Sequence, residues 1–397
     1  MRSLFLSSTF LAATAGLGAQ ATVIGLTANI QAISQQDMNT CQTQSCNVTL
    51  LGGSTGNPWD GGTAVDMTRG GVWVTNGVRV AMVNPDTCAV MCPPFTPTVG
   101  GTITGLAMHE PSGNIYALTT ANALYTIAAT CPWQIITRCP LAQVIPAGWV
   151  AAGLAVSDPG DYIFIAAADP AVPGTATVFV TTVANPCTPI CRIPASRCGG
   201  NPMGVPTGAG FDPCTNMLYV TDGRFTTEIR VDVPTCQFTF ARCCRNNNPN
   251  GDPYIGLCFM PARSTSTGRG CTQAPCALCT PTHTVSTVPY PGNPAFNLLL
   301  SGAPSGGVGY LLMGQGPCQA VGIPFSCDAL RTLPLWGAFG PVPLGGGGGC
   351  TGSGSVPIGI PNNYGLCGLQ VATQWYVICP TGGSGLSNCV TWTISGS

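Results

Sequence analysis

Apolar residues come in short runs along the chain, and turn-forming residues separate the runs. Val72–Thr75, Ile115–Leu118 and Met217–Val220 are such runs, rich in β-branched and aromatic side chains. Gly, Pro, Asn and Asp fill the gaps between runs, as in Pro111–Asn114 and Pro213–Asn216. Short β-prone segments between such breakers predict strands joined by tight turns. The pattern therefore predicts an all-β fold.

The runs belong to a repeating unit. Each unit begins with a Gly-led apolar strand, passes through a turn to a second strand, and adds a third. The starts recur about every 42 to 55 residues, and this spacing is typical of β-propeller blades with four strands each. The starts are Gly62–Asp66, Gly105–Glu110, Gly153–Asp158 and Gly208–Asp212, with a weaker fifth at Gly256–Met260.

The two ends of the repeat region predict how the ring closes. Thr22–Leu51 has the later strands of a blade without a first strand. The Gly256 segment is a first strand with weak successors. Pairing the two would complete one blade and leave no open sheet edge. We therefore expect about five blades.

Each unit ends with two closely spaced cysteines. Their spacing suits a disulfide bond across the outer hairpin of one blade, whereas a metal site is disfavoured because the spacing varies and no His is nearby. The predicted pairs are Cys41–Cys46, Cys88–Cys92, Cys131–Cys139, Cys187–Cys191, and Cys236 with Cys243 or Cys244.

Two stretches resemble a known family. Asn57–Asp66 and, above all, Thr207–Asp222 are similar to blades of NHL- or YncE-like propellers from secreted bacterial proteins. The resemblance covers roughly residues 57–260 and implies a propeller fold. It implies no activity, because such propellers host binding, scaffolding and catalysis alike.

The composition of the chain changes near a proline-rich segment, Pro289–Pro294. The residues beyond it form short predicted strands that suit a β-sandwich. Gly302–Pro304, Thr373–Trp375 and Gly385–Asn388 resemble a C-terminal sandwich module of large secreted bacterial proteins. We therefore expect a signal peptide at 1–21, a propeller at 22–290 and a sandwich at 291–397, with local disulfides Cys318–Cys327 and Cys379–Cys389.

Composition indicates the compartment. Residues 1–21 have one Arg, a short apolar stretch and an A-x-A site, as secretory signal peptides do. The chain has 23 cysteines, which in a secreted protein predict disulfides and leave one thiol free or paired with another chain. Net charge is −1, which gives no footprint for nucleic acid. No later segment suits a transmembrane span.

Candidate binding residues come from positions that recur between blades. Asp66, Glu110, Asp158 and Asp212 occupy one equivalent position, and we interpret them as turn residues. Asn76, Asn122, Asp169 and Asp222 occupy a second. Asp169, Asp222 and the neighbouring Arg224 are the candidate ligand-binding residues there, with a structural calcium ion as an alternative use of their oxygens, although a plain turn role is favoured. Trp149, in a loop between blades, is a candidate for stacking on a sugar.

No catalytic motif was found: the chain lacks G-x-S-x-G, H-E-x-x-H and P-loop patterns and has two His, His109 and His283. We predict no catalytic residues, no resident metal and no cofactor. The favoured function is a secreted structural or adhesive protein that binds extracellular matrix, a surface glycan or itself. A carbohydrate- or small-ligand-binding propeller is the alternative, and a metal-dependent lactonase or hydrolase ranks third.

Overall fold

The computed structural model describes residues 22–27, 32–38, 41, 43–47, 51–52, 55–85, 87–157, 161–197, 200–246, 253–260, 264–276 and 278–394. For residues 22, 37 and 43–47 it describes the backbone alone. The predicted signal peptide and Asp158 lie outside these ranges.

The first part of the chain forms five antiparallel sheets of four strands, numbered here as blades. Blade 1 is β4–β7 (Gly62–Asp66, Gly71–Thr75, Val80–Val83, Val90–Phe95), and blade 2 is β8–β11 (Ile103–His109, Asn114–Thr119, Ala123–Ala128, Gln134–Pro140). Blade 3 is β12–β15 (Val150–Ser157, Tyr162–Ala168, Thr177–Thr182, Cys191–Pro194), and blade 4 is β16–β19 (Gly208–Asp212, Met217–Thr221, Phe225–Asp232, Gln237–Arg245). Blade 5 combines β20 (Tyr254–Met260) with β1–β3 (Thr22–Thr27, Ala32–Asp37, Thr43–Asn47).

Blade 5 closes the ring as the sequence predicts. Its inner strand β20 comes from the end of the repeat region and pairs antiparallel with β1, with Cys258 opposite Ile24. The inner strands β4, β8, β12, β16 and β20 contact one another in cyclic order. The all-β, five-bladed propeller is therefore confirmed, and β20 supplies the first strand that β1–β3 lack.

The glycine that begins each repeat lies where the inner strands meet. A Cβ on Gly208 would be 2.7 Å from the carbonyl carbon of Gly256, and a Cβ on Gly256 would be 2.8 Å from the Cα of Gly62. Gly105 and Gly153 make similar approaches to the following blade. The repeated glycine is thus required because only hydrogen fits between five converging backbones.

The remaining packing lies between neighbouring blades. Each of the five gaps holds its own cluster of buried apolar residues. Trp73 of blade 1 contacts Trp133 of blade 2 edge-on, with ring centroids 5.5 Å apart, and Phe164 of blade 3 stacks on Phe211 of blade 4 at 4.9 Å. Both faces of a blade are buried near the axis, so strands such as β5, β13 and β17 are continuously buried rather than alternating.

Disulfide bonds join the rims of neighbouring blades, and the predicted pairs within one hairpin are wrong. A cysteine on the outer strand of one blade is bonded to a cysteine in the outer hairpin turn of the next. In blades 2, 3 and 4, the cysteine in the hairpin turn is bonded to the preceding blade, and the cysteine on the outer strand is bonded to the following blade. The two cysteines of one hairpin therefore lie on opposite faces of the blade and do not bond to each other. The bonds are Cys92–Cys131, Cys139–Cys187, Cys191–Cys236 and, from blade 4 to blade 5, Cys244–Cys41.

We call these four bonds the disulfide belt. Cys88 and Cys243 are also disulfide-bonded, and the side chain of Cys46 lies outside the described residues. Cys88 and Cys243 therefore form disulfides as expected.

The second part of the chain is a two-sheet sandwich, as predicted. One sheet has the order β21-β32-β30-β25-β28, with β22 and β31 at its side, and the other is β23-β24-β29. Leu298 of one sheet and Trp375 of the other belong to one buried apolar core. Its strands are β21 Thr265–Thr267, β22 Cys271–Thr272, β23 Thr282–Val285, β24 Asn297–Ala303, β25 Val308–Gln315, β26 Ile323–Phe325, β27 Asp328–Leu330, β28 Leu335–Pro343, β29 Gly352–Pro357, β30 Gln370–Ile378, β31 Ser384–Leu386 and β32 Cys389–Thr393.

The sandwich begins earlier than the expected residue 291. β21, β22 and β23 pair with β32, β31 and β24. The Pro289–Pro294 segment is consequently a loop inside the sandwich, and the propeller ends with β20. Short strands beside a proline-rich segment gave no sequence signal of which sheet they join.

The predicted local disulfides of the sandwich are also wrong. Cys318 is bonded to Cys389 and Cys379 to Cys276, while Cys327 pairs with Cys271. Cys279–Cys350 adds a fourth bond within the sandwich. Cys214, in the turn between β16 and β17 of blade 4, is bonded to Cys367 of the sandwich, so one covalent bond ties the two domains together.

Candidate functional site

The acids at the first equivalent position of the repeat, Asp66 and Asp212 among them, accept hydrogen bonds from nearby backbone amides. The Asp212 carboxylate accepts hydrogen bonds from the Cys214 amide at 2.9 Å and the Thr215 hydroxyl at 2.6 Å, and burial raises its pKa. Asp66 accepts from the Arg69 amide at 2.9 Å and from the Trp73 indole at 3.3 Å. These side chains close the turn between the first two strands of their blades, which agrees with the turn interpretation.

Glu110 differs from the expectation that it serves its own turn. Its carboxylate accepts from the Met67 amide at 2.6 Å and the Thr68 hydroxyl at 3.0 Å, both in blade 1. Glu is longer than Asp by one methylene and reaches across the gap, so Glu110 fastens blade 2 to the turn of blade 1. His109 beside it contacts Ser112 at 2.8 Å and Asp161 at 3.1 Å.

The second set of repeated residues lies in turns on the opposite face of the ring. Asn76 accepts from the Arg79 amide at 2.7 Å, and Asp169 accepts from the Ala171 amide at 2.9 Å. Asn122 donates to the Trp149 carbonyl at 3.4 Å, which fastens its turn to a loop between blades. The turns between second and third strands therefore share a face with the loops between blades.

Asp222 is the member of this set that contacts a charged partner. One carboxylate oxygen accepts from the amides of Arg224 at 3.1 Å and Phe225 at 3.0 Å, which fixes the turn between β17 and β18. The other oxygen is bonded to the guanidinium of Arg197, in the loop between blades 3 and 4. The Asp222 side chain is only 1% exposed, so this carboxylate supports the site and is not itself presented to a ligand.

Beside this ion pair lies a cavity that Arg197 also lines. We call it the blade 3–4 cleft, and its volume is about 490 Å³. The Arg197 guanidinium lies over the Phe225 ring, 5.4 Å from its centroid. The cleft combines a stacked arginine, an aromatic ring, an amide side chain and two prolines; its lining residues are Pro173, Arg197, Asn201, Pro202 and Phe225.

The predicted site residues are brought together only in part. Asp222 and Arg224 belong to the turn that carries Phe225, and Asp169 begins the blade 3 loop that carries Pro173. Trp149 lies between blades 2 and 3, away from the cleft, and packs edge-on against Phe179 with centroids 6.0 Å apart while staying partly exposed; its role in stacking on a sugar stays a prediction.

Sequence reasoning missed Arg197, Asn201 and Phe225. Arg197 and Asn201 lie in an irregular loop without repeat equivalents, and only folding places them beside the turn that holds Phe225. Basic residues are few in this chain, and this scarcity is the only feature of the sequence that could have marked Arg197 as a candidate site residue.

The axis of the ring offers little space for a ligand. The second cavity there is about 40 Å³ and is lined mainly by apolar side chains, among them Leu106, Leu154 and Phe211. Cys258 also lines it, and it is the unpaired cysteine among the described residues. Burial raises the pKa of its thiol to about 12, and the buried position is unsuited to a bond with another chain.

Within the described ranges, no cluster of three or more His, Cys, Asp or Glu side chains is placed to hold a metal ion. The calcium alternative for Asp169 and Asp222 stays a prediction. None of the described segments forms a helix long and apolar enough to cross a membrane.

No family model and no curated protein sequence matches this chain. It is similar in structure to a chain of the nidogen/laminin complex, with 9% identity, a TM-score of 0.38, and coverage of 61% of this chain and 99% of that one. The Cps50 (Swd1) β-propeller domain of Myceliophteria thermophila has 10% identity and a TM-score of 0.33, covering 58% of this chain and 73% of that one.

The WD40 repeats of RRP9 have 8% identity and a TM-score of 0.38, covering 61% of this chain and 84% of that one. These identities and TM-scores are too low to support a statement about function. The assignment of the fold depends on the strand pairing described above. The more specific assignment to NHL- or YncE-like propellers stays a prediction.

Proposed function

We propose that this protein is a secreted, non-catalytic interaction scaffold that binds an extracellular partner through the loop face of its propeller. The observation that carries the proposal is the disulfide belt. It joins the rims of blades 1 to 5 in series. The bonds therefore hold neighbouring blades together at the outer edge, where strands such as β11 and β19 are largely exposed and contribute few buried contacts. Bonds of this density persist in oxidising compartments.

The contacts of the acids support a binding rather than a catalytic role. Glu110 and Asp212 are committed to backbone amides and hydroxyls of the fold. Asp222 is committed to Arg197. A propeller lactonase needs carboxylates that converge on the axis to hold its metal, and here the axial cavity is lined mainly by apolar groups.

A carbohydrate-binding propeller is the second candidate. The blade 3–4 cleft favours it, because a cavity of about 490 Å³ falls in the size range of small-ligand sites and has both apolar and hydrogen-bonding walls.

The test uses the full chain purified from an oxidising secretory host. Retention is measured by biolayer interferometry on surfaces coated with laminin, collagen, polygalacturonate or dextran, with the reduced and alkylated protein as control. We expect retention on at least one surface and its loss after reduction. Absence of retention on every surface would contradict the scaffold proposal, as would metal-dependent cleavage of ester or lactone substrates that is lost in Asp222→Ala.

A further inference from the structure

The charges around the blade 3–4 cleft are distributed unevenly. The chain has 13 basic residues in all. Of these, Arg197 lines the cleft, while Arg224 and Arg245 are the chain neighbour and the cross-strand partner of its Phe225. The Arg197 guanidinium lies over the Phe225 ring, Arg224 precedes Phe225, and Arg245 is the direct cross-strand partner of Phe225. Side chains of direct partners leave a sheet on the same face, so Arg245 projects on the side of the Phe225 ring.

The acids nearby do not cancel these charges at the surface. Asp222 is 1% exposed beneath Arg197, whereas the Arg197 side chain is 35% exposed. Arg224 and Arg245 are both exposed. Asp169, which is half-buried, begins the loop that holds Pro173 and accepts from the Ala171 amide. Among the residues that the structure describes here, three guanidinium groups against two carboxylates leave the cleft positive, which favours an anionic ligand.

The donors of Arg197 are only partly used by the fold. Its Nε–H group is directed to Asp222, and its guanidinium plane lies over Phe225. A guanidinium has five N–H groups in a fixed fork, and a carboxylate can accept two of them side by side. Held on one side by Asp222 and on one face by Phe225, Arg197 is pre-oriented, so little rotamer entropy is lost when a ligand binds.

The backbone around the cleft disfavours an extended peptide. Binding by strand addition needs an open sheet edge, and three amides of the described residues around the cleft are already hydrogen-bonded within the fold. The Gly174 amide donates to the Met203 carbonyl at 3.3 Å, the Arg197 amide to Asn201 at 2.8 Å and the Asn246 amide to Arg224 at 2.8 Å. The lining instead presents the flat apolar surfaces of Pro173, Pro202 and Phe225, which suit the C–H face of a pyranose ring.

We propose that the blade 3–4 cleft binds an acidic saccharide, with a sugar ring against the apolar wall of Pro173, Pro202 and Phe225 and its carboxylate on Arg197 and Arg224. This inference rests on the proposed scaffold function and names the ligand class of its binding face.

The experiment measures binding of a galacturonic acid trisaccharide to the full chain by isothermal titration calorimetry. Matched probes are the methyl ester of the same trisaccharide, which lacks the charge, and tri-glutamate, which is an acidic peptide. We expect the acid to bind at least about tenfold tighter than its ester, because a charge-assisted pair contributes about 1.4 kcal/mol or more. Equal binding of acid and ester, or tighter binding of tri-glutamate, would overturn the inference.

Variants locate the binding site. Arg224→Gln and Phe225→Leu should each weaken binding of the acid about tenfold, and Arg245→Gln about threefold. Arg230→Gln is the matched control, because it removes an exposed arginine from the same strand as Phe225, five residues farther along. The double variant Arg197→Gln/Asp222→Asn tests the ion pair without leaving a buried charge alone. Melting curves identify any variant that fails to fold.

The two proposals fail in different ways. If the wild type is retained on coated surfaces and the cleft variants are retained equally well, the scaffold proposal stands and the acidic saccharide inference is wrong. If the wild type is retained on no surface and does not bind the trisaccharide, both are wrong.

Discussion

Cys92 on the outer strand of blade 1 is bonded to Cys131 in the outer hairpin of blade 2, with Cα atoms 6.1 Å apart. The same step from strand to neighbouring turn recurs between blades 2 and 3 and between blades 3 and 4. Each bond therefore spans a gap between blades, and together they act against separation of the blades at the rim, where the outer strands are largely exposed.

Peptide mapping of the native protein should recover bonds between blades. Digestion without reductant, followed by mass spectrometry, is expected to yield peptides that join Cys139 to Cys187 and Cys191 to Cys236, because these pairs have Cα separations suited to disulfides. The reduced digest is the control. Recovery of Cys187 linked to Cys191 would instead place the bonds within hairpins and contradict the belt.

The axial glycines should be intolerant of a side chain. A Cβ on Gly208 would lie 2.5 Å from the Leu257 amide nitrogen, a contact with backbone that cannot rotate away. Gly208→Ala is expected to lower the free energy of unfolding by about 2 kcal/mol or more, as overpacking does. Urea unfolding measures the change. Gly345→Ala, where no atom lies within 4 Å of the new Cβ, is the matched control and should be close to neutral.

Cys258 should behave as a small buried apolar residue. Its thiol, with a pKa raised to about 12, has almost no thiolate at pH 8 and should not react with Ellman's reagent until the protein is unfolded. Cys258→Ala should change stability by no more than about 1 kcal/mol, since Ala64 and Ala107 fill the equivalent positions of other blades. Rapid labelling of the native protein would contradict this placement.

His283 should make the sandwich sensitive to acid. Its ring contacts the Leu299 carbonyl at 2.8 Å and the Thr373 hydroxyl at 2.9 Å, and burial lowers its pKa from 6.5 to about 4. The unfolded state therefore binds a proton first as the pH falls. The stability that the neutral ring contributes is complete above pH 6.5 and is lost progressively toward pH 4, by about 3 kcal/mol.

The measurement is urea unfolding at pH 7.5 and pH 4.5, monitored by tryptophan fluorescence, since Trp375 lies 6.4 Å from the His283 ring. The variant His283→Gln should be less stable at pH 7.5 and should show a smaller difference between the two pH values. An unchanged difference in the variant would assign the acid sensitivity to other groups.

The sequence alone determined the local features of this protein. Gly-led apolar strands with Asp- and Asn-containing turns set the blade repeat, and the first-strand character of Gly256–Met260 predicted the closure with β1. These features depend on residues close together in the chain, where strand and turn preferences act directly.

The tertiary structure decided the partners. The close spacing of Cys88 and Cys92 in the sequence suggests a bond between them. Cys92 is instead bonded to Cys131, because its side chain lies on the face of blade 1 that packs against blade 2. Arg197 and Phe225 are far apart in the chain and form one cleft only because blades 3 and 4 lie side by side. Disulfide connectivity and cleft composition depend on contacts between blades, and a single strand pattern carries no information about which neighbour it will face.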